Sequence, residues 1–178
     1  MINQFHNRRR PIPLPLQYSA EIVRSDGERG KVYLDGGKRR VELTVNGVTQ
    51  MAIWRPDLGE YYSINLEAQT YTAHTITAEM AAVMSADVED DVEWEYVAAE
   101  RVGSHAVDVY DVFARNTELR RARVYVDSET HIRRKEVTFN DLGEEVLIIE
   151  NTNVKTGPPS ASVFELPPGL RRNSRAKA

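Results

Sequence analysis

Two residues, Asn46-Gly47, most constrain what this chain can fold into. Asn-Gly is the pair that a two-residue type I′ hairpin prefers, because both positions need positive φ. Before it, Val41, Leu43 and Val45 alternate with Arg40, Glu42 and Thr44. After it, the run from Val48 to Arg55 has the length and composition of a return strand. Alternation on both sides of such a turn predicts antiparallel pairing with one apolar and one polar face.

The same grammar recurs along most of the chain. Tyr18, Ala20 and Ile22 alternate with Ser19 and Glu21 before Asp26-Gly27 turns the chain; Lys31 to Asp35 is followed by Gly36-Gly37. Pro56-Asp57-Leu58-Gly59 leads into Glu60 to Asn65, and Glu67-Ala68-Gln69 leads into Thr70 to Thr75. Further strands are predicted over Val92 to Arg101, Ala106 to Arg115, Leu119 to Asp127, His131 to Asn140 and Glu144 to Val154. One segment breaks the pattern. Thr77 can cap a helix in which Met80, Val83 and Met84 recur at helical spacing, so a short helical lid is predicted near 77–86. The fold class is therefore mainly β, an antiparallel sheet of about ten to eleven strands with a minor helical part.

Organisation follows from composition at the ends. Residues 1–16 carry three arginines, no acid and the run Pro-Ile-Pro-Leu-Pro, which reads as an extended, flexible leader. Residues 17–170 read as a single β domain, and 171–178 as a basic flexible tail. The chain's net charge is −4, and both ends are basic, so the body between them is more acidic than the whole. Such a body is a poor counterion for phosphates, which weighs against nucleic acid despite the interleaved arginines and tyrosines of its strands.

Linear catalytic signatures are missing. There is no cysteine, and His6, His74, His105 and His131 lie at no metal-ligand spacing. No nucleophile elbow, phosphate-binding loop or dinucleotide fingerprint is present. The acidic segment 87–95 lacks the central glycine and ligand spacing of the common calcium loop and reads as a solvated loop running into a strand. No enzyme activity, metal or cofactor is expected. Paired carboxylates and a hydrolytic site scattered over strands remain a weaker alternative.

One short helix cannot cover the apolar face of some ten strands, so the sheet is expected to curl and enclose that face. The curled face is then either filled by its own side chains or open to an apolar ligand. Val41, Leu43, Val45, Ile53, Tyr62, Ile64, Met80, Met84 and Trp94 are the residues expected to line it. Phe164 to Leu170, an apolar stretch broken by Pro167-Pro168-Gly169, is expected to dock on the body.

The run from Gly30 to Glu42, followed by Ile53-Trp54-Arg55-Pro56-Asp57, Tyr61-Tyr62-Ser63-Ile64-Asn65 and Thr70-Tyr71, resembles an uncharacterised exported bacterial family related to the LolA/LolB lipoprotein carriers. The ending Ser162-Val163-Phe164-Glu165-Leu166-Pro167-Pro168-Gly169 is similar to a close common in that superfamily. The resemblance implies an unclosed β half-barrel in the periplasm or cell envelope, with a signal peptide removed from the mature chain. It implies a non-enzymatic protein that binds an apolar ligand (a lipid, acyl chain or lipoprotein), with peripheral membrane association and an envelope protein as further partners. The alternative is a protein-interaction or envelope-stress sensor domain whose core is self-filled.

Overall fold

The computed structural model describes residues 16–77 and 92–173. The expected helical lid beyond Thr77, with Met80 and Met84, lies outside the described residues, as do residues 1–15 of the leader, residues 87–91 of the acidic segment and the last five residues. The described chain forms one twelve-stranded sheet that does not close into a barrel, the unclosed half-barrel expected. Its strand order is β12-β6-β5-β4-β3-β2-β1-β11-β10-β9-β8-β7.

Two compact units divide the described residues. The first contains β1 (Gln17–Arg24) as far as Val23, β2 (Arg29–Asp35), β3 (Lys38–Val45), β4 (Val48–Arg55), β5 (Glu60–Asn65), β6 (Thr70–Thr75) and the C-terminal segment. The second contains β7 (Val92–Val102), β8 (His105–Ala114), β9 (Arg120–Asp127) and β10 (Arg133–Phe139). The strand β11 (Glu145–Thr156) gives its residues up to Asn151 to the second unit and the rest to the first. Consecutive strands pair antiparallel within each unit.

Local chemistry explains the first unit's hairpins. Asn46 and Gly47 have φ of 51° and 81°, and the turn they form pairs Val45 with Val48, Leu43 with Gln50, Val41 with Ala52 and Arg39 with Trp54. The 3-10 turn Pro56–Leu58 delivers the chain into β5 through Gly59, whose φ is +66°. Gly30 has a different role. A Cβ there would overlap the backbone carbonyl oxygen of Glu42 on the neighbouring strand, so only glycine permits this approach of β2 to β3.

One face of this unit carries its own core. Met51 and Ile53 of β4 and Tyr62 and Ile64 of β5 are buried around Phe164, which is 1% exposed. Tyr33, Tyr71, Ala73, Val163, Leu166 and Leu170 pack around that cluster. The apolar C-terminal stretch thus docks on the body as expected, through the 3-10 turn Ala161–Phe164. Two arginines tie it down: Arg40 Nη1 donates to the Val163 carbonyl at 3.0 Å, and Arg55 Nη1 to the Phe164 carbonyl at 3.3 Å. Arg40 is also paired with Glu42 at 2.6 Å, and Arg55 with Asp57 at 2.7 Å. Beyond the turn, Arg171–Arg172 form β12, a two-residue strand parallel to β6. Sheet pairing therefore extends into the stretch read from sequence as a basic tail.

The second unit packs Trp94, Val112, Ala122, Val124 and Val126 on one side of its strands and Val107, Val109 and Val137 on the other. Two buried carboxylates serve it. Asp111 accepts both prongs of the Arg123 guanidinium at 2.7 and 2.8 Å. Asp127 closes the turn between β9 and β10 by accepting from the backbone N–H groups of Glu129 and Thr130 at 3.1 and 2.9 Å, and from Arg134 Nε at 2.9 Å.

Candidate ligand-binding groove

Along β3 successive side chains point to opposite faces, so Arg40, Glu42 and Thr44 share the Phe164 face while Arg39, Val41, Leu43 and Val45 lie on the reverse. Cross-strand pairing extends this reverse face in rows. Val41, Ala52, Ser63 and Thr72 form one row across β3 to β6; Leu43, Gln50, Asn65 and Thr70 form the next. The first row is built from small side chains, and over it lies an open groove of about 580 Å³. Its β3–β4 side brings Val41, Leu43, Val48, Ala52 and Trp54 together with Arg39, Thr49 and Gln50; its β5–β6 side carries Ser63, Asn65, Thr70 and Thr72, joined by Asn173.

A third row borders the groove: Arg39, Trp54, Tyr61 and His74 lie directly opposite one another on β3 to β6. Tyr61 stacks on His74 with ring centres 4.4 Å apart and planes 10° from parallel. Trp54 and Tyr61 are 6.2 Å apart at 15°, and the Arg39 guanidinium lies 5.8 Å from the Trp54 ring centre. Stacked rings of this kind restrict one another's rotation, giving the groove a stiff flank.

The register divides the residues expected to line one cavity. Val41 and Leu43 line the groove, and Val45 lies half-buried on the same face. Ile53, Tyr62 and Ile64 are instead core residues of the Phe164 face, although Ile64 also borders the groove. Tyr62 donates its hydroxyl to Glu60 at 2.7 Å, and burial followed by that bond pushes its phenol pKa up. Trp94 is buried in the second unit, and Met80 and Met84 fall outside the described residues. The groove residues absent from the expected set, above all Ala52, Gln50 and Trp54, follow from the hairpin itself: a two-residue Asn-Gly turn dictates which β4 residue faces each β3 residue.

The other notable group of titratable side chains is structural. His105 Nδ1 lies 3.3 Å from Asp127 and 3.2 Å from Arg134 Nη2. Burial raises the Asp127 pKa, but the N–H donors of Thr130, Arg134 and Glu129 outweigh it and hold the carboxylate at about 2. These contacts brace the β9–β10 turn and tie it to His105 of β8. Among the described residues no group of three histidines or acids could hold a metal ion.

Fold and groove together define a class: an open antiparallel half-barrel sheet with a ligand-sized groove on one face. No family model matches the sequence, and no curated protein matches it. Among solved structures, an uncharacterised conserved protein from Thermus thermophilus superposes with a TM-score of 0.64 at 12% identity, covering 88% of this chain and 90% of that one. MucB, in the Pseudomonas aeruginosa MucA/MucB complex, superposes with a TM-score of 0.55 at 14% identity over 86% of this chain; the match spans 56% of that chain's length. A LolA superfamily protein from Nitrosomonas europaea aligns over 87% of this chain and 93% of its own at 9% identity, with a TM-score of 0.38. At these identities the likeness is one of fold.

Proposed function

We propose that this chain is a non-enzymatic binding protein of the cell envelope that holds the apolar part of a lipid, acyl chain or lipoprotein in the groove over β3 to β6. One observation carries the reading. The Phe164 face is filled by the chain's own side chains, whereas the reverse face leaves an open, partly apolar groove of about 580 Å³. That volume lies within the roughly 300–1,000 Å³ of small-molecule sites. Each methylene buried there contributes about 0.8 kcal/mol, so a chain covering Val41, Leu43 and Val48 is held usefully even at a half-open surface. Envelope residence is supported by the fold shared with MucB and by the resemblance in sequence.

A second reading has its own support. MucB was solved with MucA, and the β5–β6 side of the groove offers Ser63, Asn65 and Thr72 as partners for peptide groups. Titrating the purified protein with a fluorescent fatty acid separates the two. Saturable binding, lost in a Leu43→Asp variant that still unfolds cooperatively, supports the acyl reading. No binding, in a sample from which solvent extraction and mass spectrometry recover no lipid, overturns it in favour of the protein-interaction domain.

A further inference from the structure

We propose that the edge of β7 takes an extended segment of a partner protein as an added strand, one whose side chains alternate between basic and apolar. This goes beyond either reading of the groove and belongs to the second unit alone.

β7 ends the strand order, and among the described residues its neighbour is β8 alone. Sheet edges are ordinarily blunted by short strands, lysine or proline. At the other end of this sheet the last strand, β12, is two residues long. β7 instead runs for eleven residues without a lysine or a proline. A bulge at Val97 interrupts it, and past that bulge Ala98 to Val102 pair with β8 in unbroken register.

The hairpin fixes which backbone groups are on offer. Val102 pairs with His105 across the two-residue turn Gly103-Ser104, and Arg101 pairs with Ala106. Ala106 accepts at its carbonyl from the Ser128 N–H at 3.0 Å, so it points toward β9 rather than β7. Its partner Arg101 therefore directs its own N–H and C=O away from β8, and by the alternation of an antiparallel ladder Ala99 does the same. These are the donors and acceptors that an added strand uses.

Side chains select the chemistry of that strand. Tyr96 shares a face with Ala99, because their partners Tyr110 and Asp108 stand two residues apart on β8. Tyr96 is 55% exposed, with its ring centre 5.6 Å from that of Tyr110. An exposed aromatic beside a small residue leaves a step into which an apolar side chain packs. Glu100 lies on the opposite face, exposed, with no side-chain hydrogen bond or ion pair among the described residues. Arg123, which feels its charge, is taken up by Asp111 at 2.7 and 2.8 Å, and Arg101 by the Ser104 carbonyl at 2.7 Å. A basic side chain from the added strand completes Glu100. A second copy of β7 paired over Ala98 to Val102 would set Glu100 opposite itself, a like-charge contact, so a partner of different sequence is favoured.

The probe is a fluorescently labelled, end-blocked nonapeptide alternating lysine and valine, titrated with the full chain and read by anisotropy. Binding is expected to be about tenfold or more tighter than that of a glutamate-valine counterpart or of the same peptide with every amide N-methylated. Ala99→Pro removes an outward N–H at an edge position where proline is tolerated, so it should melt normally and bind about tenfold or more weakly. Glu100→Lys should reverse the preference between the lysine and glutamate peptides. Failure of the lysine peptide to bind overturns the proposal. Equal binding of the N-methylated peptide shows attraction by charge without strand addition and overturns it too, as does normal binding by a folded Ala99→Pro protein. Should Ala99→Pro not fold, the N-methylated peptide and Glu100→Lys decide. A dimer in sedimentation equilibrium that Glu100→Lys or Ala99→Pro dissociates would give the edge to a second copy and overturn the partner assignment.

Discussion

Val41 and Ile53 sit on paired strands and face opposite sides of the sheet, because the register partner of Ile53 is Arg40 and that of Val41 is Ala52. Ile53 is completely buried beside Phe164, whereas Val41 is half-buried in the groove. Stability and binding therefore separate on adjacent positions.

From that separation, Ile53→Ala should cost about 2–5 kcal/mol of unfolding free energy through the cavity it leaves. Leu43→Asp on the other face should change stability by no more than about 1 kcal/mol yet weaken acyl-chain binding about tenfold or more. Urea denaturation and fluorescence titration of both variants check the pair. A Leu43→Asp protein that binds normally would refute the groove assignment.

Phe164 reaches the core from a segment far along the chain from β4; its carbonyl is held by Arg55, 109 residues earlier. Phe164→Ala should cost about 3–5 kcal/mol, near the top of the range for single truncations, because Met51, Ile53, Tyr62 and Ile64 all lose their shared neighbour. A cost below about 1 kcal/mol in urea would mean that the C-terminal segment is not part of the folded unit.

Acid should loosen the turn after β9. Asp127 has a native pKa of about 2 against an ordinary 3.8, so its ionised form stabilises the fold. That contribution, roughly 2 kcal/mol, is fully present above about pH 4 and drains away as the pH falls toward 2. Asp127→Asn should flatten this limb of the stability curve and lower stability at neutral pH, since Arg134 is left buried without its carboxylate. Chemical denaturation at a series of pH values distinguishes the variants. An unchanged acid limb in Asp127→Asn would assign the acid sensitivity to other groups.

Two glycines should respond differently to alanine. At Gly30 the obstacle is the Glu42 backbone, which cannot rotate away, so Gly30→Ala should force β2 off β3 and cost about 1–3 kcal/mol or more. At Gly27 there is open space and only the φ of +91° resists, so Gly27→Ala should cost about 1 kcal/mol. Thermal melts of the two variants give the ranking; the reverse order would contradict the close approach of β2 and β3.

Much of this architecture is legible residue by residue. The bounds Val48–Arg55, Glu60–Asn65 and Thr70–Thr75 are those read from alternation and turn chemistry, because both are local properties of the chain. The strand β12 is not legible. Arg171 and Asn173 donate to the Gln69 and Tyr71 carbonyls at 2.9 and 2.8 Å, and nothing in an Arg-Arg pair announces that those acceptors will be in reach. The candidate site lies between these cases. Val41, Leu43 and Val45 are recognisable as one face, but that Ile53 and Tyr62 turn toward Phe164 is not legible from apolar character alone.

By itself, then, the sequence determined that strands form, where they turn and, through Asn46-Gly47, which residues of β3 and β4 stand opposite each other. These follow from φ preferences and a two-residue period acting over a few bonds. Only the tertiary structure decided which face became core. Each face of β4 presents apolar groups, and it is the arrival of Phe164, clamped by Arg40 and Arg55, that fills one side. The groove is the other side, left open where that plug does not reach.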